Sequence, residues 1–268
     1  MVSKILLEGS SLLQFILYVW IGILGLAFGS FINVCIYRIP RGDSIITPSS
    51  KCPICNEGIF WKDNIPVISY ILLKGKCRAC GGKISIRYPV VELTASVILF
   101  VNFIVFGLAE NFIMYSVLFF VLLTTAFIDY NRYIVPNKLI IFGSIIGLTF
   151  SISNGFNEVL TSLIGAVSGG LTLYIIRFIG NKFIGKESMG WGDVKLGGMI
   201  GIFLGFKLTL ISIYFSFLIT FFYGIFLIIR KKRVAMKPLP YGTFLSIGVY
   251  ITVFYGEKIY NYYLNYFI

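Results

Sequence analysis

The chain has 268 residues, of which 57% are apolar and only 13% are charged. Because soluble globular proteins carry about 25% charged residues, this composition predicts a polytopic membrane protein. Histidine is absent, which excludes Ser-His-Asp and Cys-His catalysis and the HExxH zinc proteases. The formal charge of +12 resembles that of nucleic-acid-binding proteins, but the basic residues lie between apolar segments. Membrane topology explains them, and no nucleic-acid partner is expected.

Eight apolar segments predict an all-α fold of about eight transmembrane helices, with membrane lipid as a partner. The sixth segment is short, and its boundary with the seventh falls around Phe206 and Lys207. The first segment is too long for the core of a signal peptide and is interpreted as a true span. The segments cover residues 12–36, 89–109, 112–129, 135–153, 159–179, 193–207, 208–229 and 239–256.

The distribution of lysine and arginine predicts the orientation of these spans. With eight crossings, 20 of the 23 basic residues lie on one face, and only Lys4, Lys207 and Lys258 lie on the other. The positive-inside rule then puts both termini outside and the segment between the first two spans in the cytoplasm. We predict three parts: a first transmembrane helix (1–37), a cytoplasmic loop domain (38–88) and a membrane core (89–268).

Four of the five cysteines lie in this cytoplasmic loop, as two CxxC pairs with twenty-one residues between them: Cys52, Cys55, Cys77 and Cys80. Two such pairs suit tetrahedral ligation of zinc by four thiolates, and a reducing cytoplasm makes disulfides the weaker interpretation. Four thiolates leave no open position for water, so the Zn²⁺ is predicted to be structural. Cys35, in the first span, is interpreted as a small buried hydrophobic residue.

Two aspartates stand at membrane depth, where ionisable groups are costly. Asp129 is the last residue of the third span. Asp193 is the first residue of the sixth span and belongs to the sequence Gly190-Trp-Gly192-Asp193-Val-Lys195. Two crossings separate them, so both are expected at the same face. Asp193 alone could be a solvated helix N-cap. Gly190 and Gly192, however, would let a substrate strand approach the backbone closely.

Paired carboxylates can hydrolyse a peptide bond without histidine, because one takes a proton from water while the other donates a proton. The helix ends suggest a hypothesis for the roles: Asp193 at a helix N-terminus favours the anion and would act as the base, and Asp129 at a helix C-terminus would hold the proton. Because a pair of carboxylates titrates as a unit, the reverse division stays open.

Several motifs along nearly the whole chain resemble those of the bifunctional type IV prepilin peptidases, the GxGD membrane aspartyl proteases. Two positions depart from that pattern. Trp191 is bulkier than the residue often found between the two glycines of the motif, and Asn137 follows Pro136 where an aspartate is frequent. The matching segments are Gly29–Gly42, the two CxxC pairs, Asn64-Ile-Pro66, Gly75-Lys76, Arg87–Leu93, Asp129, Gly190–Leu196 and Pro240–Phe244.

The resemblance implies two reactions in the bacterial inner (plasma) membrane. The leader of a type IV prepilin or pseudopilin is cut at the cytoplasmic face by Asp129 and Asp193. The new N-terminus is then methylated with S-adenosylmethionine. The cysteine loop favours the bifunctional form, and Gly190, Gly192 and Lys195 would support the dyad. The methyl-transfer site is placed at Asn33, Tyr37, Gly75, Lys76 and Glu92, although Lys76 and Glu92 could equally be interfacial anchors.

Three alternatives stay open: a multi-span transporter, a zinc-dependent scaffold, and a peptidase whose methyltransferase part is inactive. Glycines four residues apart, at 165 and 169 and at 197, 201 and 205, predict close helix packing.

Overall fold

A computed structural model describes residues 11–184, 189–230 and 239–267. Within these ranges it contains helices and no strand, so the all-α prediction is confirmed there. Two short 3₁₀ helices lie at Ile39–Arg41 and Trp61–Asn64. The α-helices are α1 (Ser11–Arg38), α2 (Ile68–Leu72), α3 (Arg87–Phe106), α4 (Glu110–Arg132), α5 (Asn137–Ser153), α6 (Phe156–Ile184), α7 (Trp191–Ile229) and α8 (Tyr241–Phe267).

Five of these helices, namely α1, α3, α4, α6 and α7, are long and apolar enough to cross a membrane, judged by length and composition. Helix α5 is also apolar but shorter. Each of the eight predicted segments lies largely within a helix. The sixth and the seventh segment both fall in α7, which has 39 residues.

Helix α7 folds back on itself at Gly205. The backbone there has φ 66° and ψ −177°, a conformation that glycine adopts without strain. A side chain added at Gly169 of α6 would meet both the carbonyl oxygen of Gly197 and the methyl group of Thr209. Twelve residues of straight helix span about 18 Å, so only a reversal brings these two atoms together. The predicted boundary between two spans is therefore confirmed, one residue earlier than expected.

The glycines of α6 and α7 pack against each other as their spacing predicts. A side chain at Gly165 would meet the backbones of Gly201 and Gly205, and one at Gly197 would meet Leu173. Such small-residue contacts let two helix backbones approach closely where lipid supplies no hydrophobic driving force. This contact fixes where the beginning of α7 lies relative to α6.

The chain divides into two compact units, which meet in sequence at Ser116 and Val117. In the first unit α1 packs on α3 through a line of small residues. A side chain at Gly25 would meet the backbone of Ser96, and the Ser96 hydroxyl donates to the Gly22 carbonyl at 2.9 Å. Cys35 is buried, as predicted.

The second unit contains the rest of α4 together with α5 to α8. Helix α8 packs against α4, because the Ser246 hydroxyl donates to the Leu122 carbonyl at 3.2 Å and the rings of Phe119 and Tyr250 lie 4.7 Å apart. A side chain at Gly248 would meet Ser216 of α7. These contacts place the end of α4 and the beginnings of α7 and α8 close together.

Candidate active site and candidate metal centre

Asp129 lies in the last turn of α4 and is 4% exposed. The backbone N–H of Thr243 donates to its Oδ2 at 3.0 Å. The Thr243 hydroxyl lies 3.4 Å from the same oxygen and donates to the Ala126 carbonyl at 3.0 Å. The first turn of α8 thus holds one carboxylate oxygen of Asp129.

Asp193 lies in the first turn of α7, after the N-cap residue Gly190, and is 8% exposed. The ideal Cβ of Gly190 would sit 3.4 Å from Asp193 Oδ2. Asp193 Oδ1 is buried and has no hydrogen-bond partner among the described residues. One oxygen of this carboxylate is therefore free for a further contact.

The two predicted aspartates come together, 64 residues apart in sequence. They are close enough to interact electrostatically, and the backbone N–H of Gly242 faces both carboxylates. Val135, between α4 and α5, packs against two of the surrounding glycines. An ideal Cβ at Gly192 would lie 2.8 Å from Val135 Cβ, and one at Gly242 would lie 3.3 Å from Val135 Cγ2.

The bulky Trp191 has a structural partner in Arg177, which sequence reasoning did not single out. The Arg177 guanidinium lies 4.3 Å from the centre of the Trp191 ring, and its Nε donates to the Met189 carbonyl at 2.8 Å. Tyr174 stacks on the same ring at 5.8 Å. Side chains of α6 thus hold the residues that lead into Asp193.

The other position that departs from the family pattern also has a partner. Lys195 donates to the Asn137 side-chain oxygen at 3.1 Å, linking the first turns of α7 and α5. The contact is exposed. Thr243 and Tyr241 belong to a segment that the resemblance includes, but no role could be assigned to either from sequence.

The four predicted metal ligands form a compact cluster: the Sγ atoms of Cys52, Cys55, Cys77 and Cys80 lie within 4.8 Å of one another. The Cys52 and Cys80 sulfurs are 4.0 Å apart. Zinc bonded to four sulfurs at about 2.3 Å requires sulfur–sulfur distances of about 3.8 Å. The Cys52–Cys80 distance is close to this value, and no sulfur–sulfur distance in the cluster would have to shorten by more than about 1 Å around a zinc ion.

Each CxxC pair lies in a tight turn of the same design. The Cys52 N–H donates to the Glu57 carbonyl at 2.9 Å, and the Cys77 N–H donates to the Gly82 carbonyl at 2.8 Å. Each turn also contains a left-handed residue, Asn56 in the first and Gly81 in the second. Backbone N–H groups of Cys55 and Ile54 lower the pKa of the Cys52 thiol to about 7. Despite a backbone hydrogen bond from Glu57, burial and the neighbouring sulfurs raise the pKa of Cys55 to about 11, so Cys52 is the first of the two to form the thiolate that binds metal.

The residues predicted for methyl transfer lie in two parts of the first unit. Asn33 and Glu92 line the α1–α3 interface, where a side chain at Gly29 would meet Glu92. Tyr37, near the end of α1, has the Arg41 guanidinium 3.8 Å from its ring centre. Gly75 and Lys76 lie in the loop. Gly75 packs on the Tyr70 ring, and the backbone of Lys76 forms an isolated antiparallel β-bridge with the backbone of Lys83.

Glu92 connects the loop to α3. It is 7% exposed, and its Oε2 accepts the backbone N–H of Val67 at 2.8 Å. Val67 has φ 60°, a conformation that a β-branched residue rarely adopts. Asn33 donates to the Tyr88 carbonyl at 3.0 Å, while its Oδ1 is buried without a partner among the described residues.

Comparison with known proteins assigns the chain to a family. Residues 23–106 match the bacterial peptidase A24 N-terminal domain, and residues 116–228 match the type IV leader peptidase family. A prepilin leader peptidase/N-methyltransferase from Aeromonas hydrophila is 31% identical over 291 residues, covering 98% of this chain and 99% of the relative. The chain belongs to the type IV leader peptidase family.

Other relatives of the same name extend across bacterial groups. The one from Bacillus subtilis is 31% identical over 243 residues, which cover 91% of this chain and 96% of the relative. The one from Myxococcus xanthus is 34% identical over 215 residues, which cover 80% of this chain and 64% of the relative. No solved structure matches the chain. The leader peptidase family is thus established by sequence over nearly the whole length.

Proposed function

We propose that this chain cleaves the leader from type IV prepilins or pseudopilins and then methylates the new N-terminal residue with S-adenosylmethionine. The observation that carries the cleavage is the convergence of two buried carboxylates, Asp129 and Asp193, from separate helices. Buried paired carboxylates are arranged for acid–base chemistry on one bond. The relatives' shared name supplies the substrate class and the second reaction.

In the proposed cleavage, one carboxylate removes a proton from water while the water oxygen bonds to the peptide carbonyl carbon. The other, protonated carboxylate donates its proton to the carbonyl oxygen. The resulting diol then collapses as the C–N bond breaks. The carboxylate that took the proton of water passes it to the leaving amine, and a diol hydroxyl returns a proton to the other carboxylate as the carboxyl group of the leader forms. The scheme is balanced without a metal ion or a histidine.

We assign the base to Asp193 and the acid to Asp129. Asp193 lies in the first turn of α7, where the helix dipole favours a negative charge. Both contacts from Thr243 end on Oδ2 of Asp129, so the proton of the pair would lie on Oδ1. Because the two groups titrate as a unit, their apparent pKa values belong to the pair.

The glycines of the motif and Lys195 are proposed to support this chemistry. Gly190 and Gly192 keep the backbone beside Asp193 free of side chains, which suits an extended substrate. Lys195, through Asn137, would fix the first turn of α7 relative to α5.

The loop is proposed to serve methyl transfer, with zinc as a structural ion. Asn33 and Glu92 offer buried oxygen acceptors at the α1–α3 interface, suited to the hydroxyl and ammonium groups of S-adenosylmethionine. The bound cofactor would supply the methyl group, and Tyr37, Gly75 and Lys76 complete the proposed set. Glu92 would act by holding Val67 and the cofactor at fixed positions.

The basic-residue distribution supports an inner-membrane protein with both termini outside and the carboxylates at the cytoplasmic face. The proposed division is a first transmembrane helix (1–37), a loop domain for methyl transfer (38–88) and a peptidase core (89–268). Substrate leaders that are short and basic would remain in the cytoplasm by the same rule.

The experiment is to measure the intact mass of a prepilin after incubation with the detergent-purified protein and S-adenosylmethionine. Loss of the leader plus one methyl group is expected. Asp129→Asn and Asp193→Asn should each reduce cleavage by roughly 10³-fold or more, as removal of an essential acid or base does. Both variants should still methylate a peptide that was cleaved beforehand.

Other outcomes separate the alternatives. Cleavage without methylation would leave the peptidase and remove the second activity. An untouched prepilin, when a relative cleaves it in parallel, would refute the proposal and return the transporter to consideration.

A further inference from the structure

Two buried polar atoms beside the carboxylate pair have no hydrogen-bond partner among the described residues: Asp193 Oδ1 and the Tyr241 hydroxyl. Tyr241 is 7% exposed and Asp193 is 8% exposed, so bulk water does not satisfy either group. The two side chains are close enough to interact electrostatically. Neither atom has a hydrogen-bond partner in the described part of the chain, so a small ligand that bonds to both would satisfy both.

The Tyr241 ring is held in place by its neighbours. Its centroid lies 5.0 Å from that of the Phe217 ring, in the part of α7 that follows the reversal at Gly205. The Ser216 hydroxyl is near enough to the phenol to act on it electrostatically, but it donates to the Ser212 carbonyl and does not come within hydrogen-bonding geometry of the phenol oxygen. Tyr241 is also the residue before Gly242, whose N–H faces both carboxylates. The phenol therefore stays at the edge of the carboxylate pair.

An unsatisfied buried hydroxyl destabilises the folded protein, and native proteins contain few such groups. Phenylalanine would fill the same space without that cost. A tyrosine at this position is therefore explained by a ligand rather than by packing. The ligand must accept a hydrogen bond from the phenol and donate one to a carboxylate, which a water molecule can do.

We propose that Tyr241 is a further catalytic residue, whose hydroxyl and Asp193 Oδ1 together hold the water that attacks the scissile peptide bond. The proposal rests on the leader-peptidase function proposed above. The water accepts from the phenol and donates to Asp193. Its remaining lone pair is thereby aimed at the substrate carbonyl carbon.

This water is the nucleophile of the cleavage described under Proposed function. The O–H bond that breaks is the one directed at Asp193, and the new C–O bond forms from the same oxygen. Tyr241 keeps its proton throughout. Orientation of this kind is worth much of the barrier, and a displacement of about 1 Å can cost roughly a hundredfold in rate.

The test compares Tyr241→Phe with the wild type in prepilin cleavage, measuring kcat, KM and the unfolding temperature. We expect kcat to fall between about tenfold and a hundredfold, with KM unchanged. The unfolding temperature should change little, because the hydroxyl bonds to a water molecule and not to another part of the protein. A hydroxyl with only a structural role would give the reverse: a lower unfolding temperature with kcat retained.

Tyr250→Phe is the matched control. Tyr250 lies in the same helix and packs on Phe119 and Phe254, away from the carboxylates, and its variant should keep the wild-type kcat.

The remaining outcomes are decisive in different ways. Unchanged kcat in Tyr241→Phe would overturn the assignment, and a raised KM at constant kcat would show that the phenol binds substrate instead of water. If wild type and Asp193→Asn were equally inactive, the leader-peptidase function itself would fail, a result separate from either of these.

Discussion

Asp129 and Asp193 are 4% and 8% exposed, whereas Cys55 and Cys80 lie on the surface of their loop. The carboxylates are placed by the ends of long helices that pack through glycines and hydroxyl groups. The thiols are placed by two short turns with little core beneath them. The two sites are therefore fixed by different means: helix packing positions the acids, and two short turns position the thiols.

The largest expected effect concerns the thiols. Cys77→Ser should abolish stoichiometric zinc binding and expose the loop to proteases, because metal binding supplies much of the folding free energy of such small sites. Zinc content by atomic absorption and limited proteolysis measure this. Methylation should fall with the zinc, while prepilin cleavage continues.

Cys35→Ala is the control, since Cys35 is buried in α1 outside the cluster and its variant should retain zinc. Equal loss of cleavage and methylation in Cys77→Ser would contradict the contrast between the two regions.

A methyl group at Gly192 should disturb the carboxylates next most strongly. Its Cβ would lie 2.8 Å from Val135 Cβ, so the first turn of α7 must shift, and cleavage should fall roughly a hundredfold in Gly192→Ala. Zinc content should not change. Assays of both quantities on one preparation test this.

The double variant Gly192→Ala, Val135→Gly should recover much of the cleavage, because glycine at position 135 removes the Cβ atom that clashes. Failure of this rescue would mean that the glycine serves the substrate rather than the packing.

Thr243→Val should have a moderate effect. It deletes the hydroxyl near Asp129 and keeps the backbone N–H, the shorter of the two contacts at 3.0 Å. Loss of about 1 kcal/mol corresponds to roughly a fivefold fall in kcat. Steady-state kinetics measure it, and Thr243→Ser should remain near wild type. A fall as large as that of Asp129→Asn would show that the hydroxyl does more than hold Oδ2.

The smallest effect is expected at Asn137→Asp, which installs the residue frequent in the family. The new carboxylate would face Lys195, but an exposed ion pair contributes only about 0–1 kcal/mol. Cleavage should change less than about twofold, and any gain should disappear at high salt. A change of tenfold would show that this contact controls Asp193 directly.

Asp129 and Asp193 could be singled out from the sequence because an ionisable residue in an apolar segment is costly and therefore rare. The four cysteines could be singled out because two CxxC pairs at this spacing are typical of a metal site. The Thr243 contact with Asp129 joins residues 114 apart in sequence, so no local pattern reveals it. The contacts of Arg177 with Trp191 and Met189 could not be predicted, because basic residues are common at the ends of membrane spans.

The departures in the fold have similar causes. Hydropathy locates a span but not a reversal, so the bend at Gly205 was misplaced by one residue. The left-handed Val67 could not be predicted, because a valine normally avoids that conformation and the Glu92 carboxylate that receives its N–H lies 25 residues away.

The bend at Gly205 also fixes the length of the first part of α7, which carries Asp193. This part runs only from Trp191 to Leu204, 14 residues or about 21 Å, and its neighbour α5 has 17 residues. The hydrocarbon core of a bilayer is about 30 Å thick. A helix this short thins the bilayer around it or draws its polar end below the lipid headgroups. We therefore expect cleavage to be faster in vesicles of short-chain lipids than in vesicles of long-chain lipids.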